Sequence, residues 1–176
     1  MGCDSYISGD NEKFELSESK ILKKNNILIG VSGTMRGLQL LKYQLDFTTQ
    51  EHLSEIEDMN ISDEEYICNF LVNTIKEIFF NNQYTVKVDD QENHCDNYII
   101  GYKGKLYTLE SNYQIYSTND NYIAIGSGSQ YAYGALKVQE KAKILLKDPE
   151  EAVIRTISVV SKFCPSVGGE IKIFNC

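Results

Sequence analysis

The sequence has 176 residues, enough for one domain with a full core, and 42% hydrophobic against 24% charged residues is a globular balance that excludes a disordered chain. Lys and Arg number 17 and Asp and Glu 25, a net charge of -8, so most of the surface repels phosphate; nucleic acid and anionic membranes are excluded as principal partners. No apolar run approaches the roughly 18 residues of a membrane span. Only Arg36 and Arg155 could make bidentate phosphate clamps. The five cysteines, Cys3, Cys68, Cys95, Cys164 and Cys176, show no CxxC spacing. With no basic, apolar leader ahead of them, they read as reduced thiols in a cytoplasmic protein. Met1-Gly2-Cys3 resembles a lipidation start, but Tyr6 stands where that pattern needs Ser or Thr.

In chain order, Tyr6 to Ser8, Phe14 to Leu16 and Ile21-Leu22 are short strand-like pieces, with a turn at Gly9-Asp10-Asn11 after the first. Ile27 to Val31 is a continuous β-branched run that suits a strand buried on both faces, closed by Gly33. Thr34 is placed to cap a helix carrying Leu38, Leu41 and Leu45. Residues 48–62 read as a connecting loop. Ser62 to Glu65 forms a capping box, and the helix it starts carries Ile67, Phe70, Leu71, Ile75 and Ile78 on one face. Residues 85–96 are polar, a loop or frayed strand. Tyr98 to Tyr102, Leu106 to Leu109 and Tyr113 to Tyr116 are strands, the first two joined by a tight turn at Lys103-Gly104. Tyr122 to Ile125 is a further strand running into Gly126-Ser127-Gly128-Ser129, with Ser129 as N-cap of a small-residue helix. Asp148-Pro149-Glu150-Glu151 starts a last helix with Val153, Ile157, Val160 and Cys164 inward; Pro165 ends it, and Ile171 to Phe174 is a closing strand. Strands and helices in blocks favour an α+β fold of two antiparallel sheets with helices outside.

Several residues could carry chemistry. Asp4 and Lys20 flank a turn at Gly9, so adjacent antiparallel strands would bring them together. Enclosed, a lysine beside a carboxylate keeps a cation in a dry site, where it lowers the pKa of a neighbouring nucleophile; exposed, the pair is an ordinary surface contact. Gly126 to Ser129 lies between strand and helix, where free N–H groups can meet an anion, but no Gly-Lys-Thr/Ser and no G-x-G-x-x-G follows, and a plain strand-to-helix turn explains it equally. His94-Cys95-Asp96 offers three ligand types on adjacent residues, which cannot all face one ion, and the only other histidine is His52; no metal site is expected. Cys164 falls on an apolar helix face and reads as a core thiol, and no Ser/His/Asp set can be assembled.

Together these pieces resemble the proteasome β-subunit family, the threonine-dependent N-terminal-nucleophile hydrolases, and most closely its small bacterial and phage members. The likeness is carried by Gly2-Cys3-Asp4-Ser5, Ser19-Lys20-Ile21, the run Ile27 to Gly33, the segment Tyr122 to Gly134 with Ala-Ile-Gly-Ser-Gly at its centre, and Gly168-Gly169 after the last helix. It spans nearly the whole chain, with Ala-Ile-Gly-Ser-Gly its most specific part. The resemblance implies a four-layer α/β/β/α sandwich over residues 1–176. It also implies a threonine whose Oγ attacks a peptide carbonyl while its own α-amine takes the proton. Residue by residue, Lys20 would lower the nucleophile's pKa, Asp4 would orient Lys20, Ser127 would hold the amine network, and the N–H at about Gly33 would form the oxyanion hole. On these grounds an enclosed Asp4–Lys20 pair is expected.

Two departures accompany the likeness. Only three residues precede Asp4, so the family's threonine and most of its first strand are missing; Met1 is read as an internal methionine, with the threonine on a preceding segment. The Asp and Ser that the family carries before Gly168-Gly169 are here Cys164 and Val167, with Ser166 nearby. The resemblance implies a peptide or unfolded-protein substrate, a homo-oligomeric ring or closed assembly, an ATPase as possible partner, and no cofactor. The alternatives are a catalytically silent scaffold of the same fold and, more weakly, a small-anion-binding domain.

Overall fold

A computed structural model describes residues 1–9, 12–46, 61–89 and 91–175. The loop expected at 48–62 lies, apart from Ile61 and Ser62, outside the described residues, as does His52.

The centre is a five-stranded antiparallel sheet. It contains β4 (Ile21–Lys24), β5 (Ile27–Ser32), β8 (Asn97–Tyr102), β9 (Lys105–Leu109) and β10 (Ile115–Tyr116), in the order β10-β9-β8-β5-β4. Lys103 and Gly104 both have positive φ, the conformation that a two-residue hairpin between β8 and β9 needs. Side chains alternate across the pleat. On one face Ile27, Ile29, Val31, Tyr98, Ile100 and Tyr102 join a core with α1 (Met35–Gln44) and a long helical segment. That segment runs as α2 (Asp63–Tyr66), a π-helical turn Ile67–Val72, and α3 (Asn73–Asn81). Ser62 caps it by accepting from the Glu65 amide, as its sequence requires, and Ile67, Leu71, Ile75 and Phe79 are fully buried beneath it.

The other face of the sheet looks toward α4 (Ser129–Lys141), α5 (Ile144–Lys147) and α6 (Pro149–Phe163). Asp148 caps α6 by accepting from the Glu151 amide, with Pro149 at the first helical position. Between sheet and helices lie the pieces of a second sheet: β1 (Gly2–Cys3) paired with β11 (Lys172–Ile173), and the hairpin β2 (Tyr6–Ser8) with β3 (Lys13–Glu15). The Leu16 amide donating to the Ser5 carbonyl, and Ser5 donating to Gly168, tie these pieces into one layer. The order is helices, sheet, partial sheet, helices, and the α+β sandwich is as expected.

Three local expectations are corrected. Tyr122 to Ile125 forms no strand, because among the described residues none of its backbone groups has a backbone partner. The stretch at 85–96 is no simple loop: it folds as a hairpin of β6 (Val86–Val88) and β7 (Gln91–Asn93) and then buries His94 and Asp96. Ser129 is the first residue of α4 rather than its cap; Gly128 holds the cap position, and the Ser129 amide is taken by the Gly126 carbonyl.

Candidate active site

Asp4 follows β1 and Lys20 precedes β4, and the hairpin β2–β3 between them folds the chain back so that both lie at its open end. The Lys20 ammonium donates to Asp4 Oδ1 at 2.8 Å, with side-chain exposures of 19% and 13%. Asp4 Oδ2 accepts two backbone amides, Tyr6 and Gly168, each at 3.1 Å. The carboxylate therefore joins the ion pair to the turn after α6, and the pair is enclosed rather than a loose surface contact.

Gly33 ends β5 with φ of +135°, a conformation that L side chains avoid, and a Cβ there would overlap the Asp96 carboxylate. Asp96, only 1% exposed, fixes the turn that Gly33 begins. Its Oδ1 accepts the Thr34 amide at 2.7 Å, and its Oδ2 accepts the hydroxyls of Tyr84 at 2.6 Å and Tyr98 at 2.9 Å. The Thr34 hydroxyl also bonds Tyr84. Thr34 thus stands at the start of α1 without capping it through its own side chain; Asp96 supplies the carboxylate from across the fold, where the helix N-terminus favours negative charge. Burial, reinforced by Asp96, holds both phenols above their ordinary pKa, so they remain protonated donors.

Across from this turn, Ser127 and Ser166 bond hydroxyl to hydroxyl at 2.8 Å. Cys164 contacts both, its Sγ 3.3 Å from Ser166 and 3.7 Å from Ser127. Hydrogen bonding to Ser166 outweighs burial and holds the Cys164 thiol below its ordinary pKa. The glycines around Ser127 permit close approach: a Cβ on Gly126 would press Ser32, and one on Gly128 would press Val160 and Val167.

Asp4, Lys20, Gly33, Ser127 and Ser166 all line one cavity of about 500 Å³. All four residues singled out in the sequence are thus brought to the same space. Ser166 was seen only as a neighbour of the positions where the family carries Asp and Ser; its hydroxyl stands on Ser127. Asp96 was missed as a support for Gly33, and its only signal was an acidic residue directly before an apolar strand. The His94-Cys95-Asp96 triplet does not converge: His94 is buried among the rings of Phe79, Tyr98 and Tyr113, Asp96 faces Thr34, and Cys95 is exposed. Among the described residues no three His, Cys, Asp or Glu side chains are grouped to hold a metal, and no helix is long and apolar enough to cross a membrane.

Known proteins share this fold. The fold is similar to BPH of Thiobacillus denitrificans, at TM-score 0.72 and 17% identity for the form in complex with epoxomicin and at TM-score 0.69 and 18% identity for a second structure of the same protein; each alignment covers 98% of this chain and 89% of that one. It is also similar to the eukaryotic HslV of Trypanosoma brucei, at TM-score 0.59 and 13% identity, over 97% of this chain and 88% of that one. A search of curated protein sequences finds no significant match. These likenesses show the fold, an α+β sandwich shared with those proteins. The sequence model of the proteasome subunit matches residues 5–175, and the chain belongs to that family.

Proposed function

We propose that this chain is a threonine-type peptidase subunit whose nucleophile is an N-terminal threonine on a strand preceding Met1. The observation that carries the reading is the enclosed Asp4–Lys20 pair on the wall of the 500 Å³ cavity that Ser127 and Ser166 also line. An ammonium with so little water around it favours the deprotonated form of a neighbouring hydroxyl, which is what a threonine nucleophile requires. Asp4 fixes the ammonium's position and offsets the cost of enclosing it.

In this reading the threonine Oγ bonds to the peptide carbonyl carbon while its α-amine takes the hydroxyl proton. The carbonyl oxygen gathers charge against the Gly33 N–H, an interaction of the kind worth roughly 3–4 kcal/mol in other hydrolases. The C–N bond then breaks, the proton passes to the departing amine, and water cleaves the ester. Ser127 and Ser166 orient the amine, and Ser166 supplies the hydroxyl that Val167 lacks. The substrate is peptide or unfolded protein. A closed homo-oligomer is supported by the apolar outer side of α4 and α6, where Tyr131 and Phe163 stack while 50% and 63% exposed. An ATPase partner and a cytoplasmic setting complete the reading.

Translating the upstream reading frame tests it directly. An in-frame threonine codon one strand-length before Met1 is expected; a stop codon or frame break leaves the silent scaffold. A covalent probe for N-terminal threonine should label the extended protein and spare its Lys20→Ala variant, and equal labelling of both would refute the role of Lys20. The anion-binding alternative is less favoured, since the Ser129 amide at the start of α4 is already taken by Gly126.

A further inference from the structure

His94 is a buried titratable side chain to which the functional reading gives no role. It is 2% exposed, and the rings of Phe79, Tyr98 and Tyr113 surround it edge to face, with centroids 5.7, 5.2 and 5.0 Å away. Among the described residues neither ring nitrogen has a hydrogen-bond partner, and neither has the buried Tyr113 hydroxyl. Polar atoms buried unbonded cost free energy that contact with water would recover. The charged and titratable groups around the imidazole are Tyr98 on β8, Glu110 and Tyr113 on the turn after β9, Tyr84 before β6, Lys76 on α3, and Glu92, Cys95 and Asp96 on its own segment. Lys76 stands over the Tyr113 ring and pairs with Glu92 at 3.6 Å. The Asp96 and Glu110 carboxylates favour a positive imidazole, but burial outweighs them and holds the His94 pKa below its ordinary value. Both carboxylates are already engaged, Asp96 by three donors and Glu110 by the Tyr116 hydroxyl at 2.7 Å.

The place of this ring cage in the fold gives a proton a mechanical consequence. Among the described residues the strands of the β6–β7 hairpin pair only with each other, and β6 is exposed along its length. The hairpin is held at its two stems. Tyr84 on one stem donates to Asp96 on the other at 2.6 Å, so the stems move as one piece, and His94 plugs the cage two residues before Asp96. Together the stems grip Thr34 twice: Asp96 accepts its amide at 2.7 Å, and Tyr84 bonds its hydroxyl. Those bonds fix the residue that follows Gly33. Further ties are the Tyr98 hydroxyl to Asp96 and the His94 amide to the Ser111 carbonyl, each at 2.9 Å.

We propose that His94 is an acid-triggered release for the Gly33 turn: the protonated imidazole leaves the ring cage for water, and the stems carrying Tyr84 and Asp96 leave Thr34 with it. The step adds one solvent proton to a ring nitrogen and breaks no covalent bond. Closed, the cage excludes the proton; open, the hydrated ring takes it at the ordinary pKa of about 6.5. Lower pH therefore draws the equilibrium toward the open form, and the opening constant rises by up to about tenfold for each pH unit below that value. The release is a property of the fold. Only its consequence for chemistry, loss of the Gly33 N–H as an oxyanion donor in acid, rests on the functional reading.

The test is amide hydrogen exchange in the 176-residue chain between about pH 7.5 and pH 5, each rate corrected for its intrinsic pH dependence. The Thr34 and His94 amides should open together, more readily than Ile100 in the central strand β8 and with little dependence on urea. Their opening constants should rise at least threefold between about pH 6.5 and pH 5. In His94→Phe, whose ring fills the cage without titrating, that rise should vanish. Should the variant not fold, the imidazole ¹³C shifts of the wild-type chain decide: a folded-state His94 that titrates at or above its ordinary value means that the cage accepts the cation, and the proposal falls. Thr34 and Ile100 opening equally at every pH and urea concentration would make the acid effect global unfolding and overturn it, as would a His94 amide that opens in acid while Thr34 stays protected. Acid opening at Thr34 with undiminished threonine-probe labelling of the extended protein would refute the oxyanion role of Gly33 alone; a protected Thr34 with labelling intact would refute the release alone.

Discussion

Replacing Asp96 should destabilise the fold more than any other single change near the candidate site. The carboxylate is 1% exposed, takes three hydrogen bonds of 2.6–2.9 Å, and has no ion-pair partner among the described residues. In Asp96→Ala the Tyr98 hydroxyl, wholly buried, loses its acceptor, while Tyr84 and Thr34 lose theirs nearer solvent. A hydrogen bond to a charged group contributes about 1.5–3 kcal/mol, and a buried orphan costs about 1–3 kcal/mol. Full weight for Tyr98 and partial weight for the other two, less the relief of no longer burying a charge, gives a loss of about 3 kcal/mol. Asp96→Asn retains one acceptor oxygen but turns an N–H₂ toward a donor, so about 2 kcal/mol is expected. In urea, with a slope of about 1–3 kcal/mol/M, the Ala variant's midpoint should fall by about 1–3 M at unchanged slope. The Thr34 amide should exchange faster in both variants. A loss below about 0.5 kcal/mol for Asp96→Ala, the range of ordinary surface substitutions, would refute the account of Asp96 as the anchor of the Gly33 turn.

Other outcomes follow from the same geometry. A double-mutant cycle with Asp4→Asn and Lys20→Met should give a coupling of about 1–2 kcal/mol by chemical denaturation, because both groups are largely covered; a value near zero would mean solvent screens the pair. Burial lowers the His94 pKa below its ordinary value, so below about pH 6.5 the unfolded chain binds the proton that the folded chain refuses. Stability should fall as pH drops from there toward the folded pKa, by at most about 1.4 kcal/mol per pH unit, and His94→Phe should remove that component; identical pH slopes in both proteins would count against it. Gly33→Ala should cost about 1–3 kcal/mol in backbone strain, with further loss from the Asp96 overlap, and a neutral effect in thermal denaturation would contradict the geometry of that turn.

What was legible in the sequence is what short-range physics decides. Ser62 and Asp148 start their helices because a cap needs only an amide three residues ahead. Lys103-Gly104 turns because its two positions take positive φ. The Asp4–Lys20 meeting was readable because one hairpin lies between them. Tyr122–Ile125 was misread because its composition suits a strand while strand identity depends on a partner elsewhere in the chain. Asp96 was hidden for a similar reason. Nothing within residues 85–96 indicates that Thr34, Tyr84 and Tyr98 will converge on one carboxylate, since that depends on how β5, β8 and α1 meet. Ser166 gained meaning only when the turn after α6 came against Ser127.

The core is lopsided. Among the described residues, nineteen buried ones knit α1, α2, the π-helical turn and α3 to one face of the large sheet, whereas the buried cluster beneath α4, α5 and α6 consists of Tyr122, Leu136, Leu145 and Ala152. Cooperative units with few buried apolar partners open at lower free energy than the rest of a protein. The α4–α6 half is therefore expected to open at lower free energy than the half built on α1 to α3, and apolar material packed between the layers would narrow that difference.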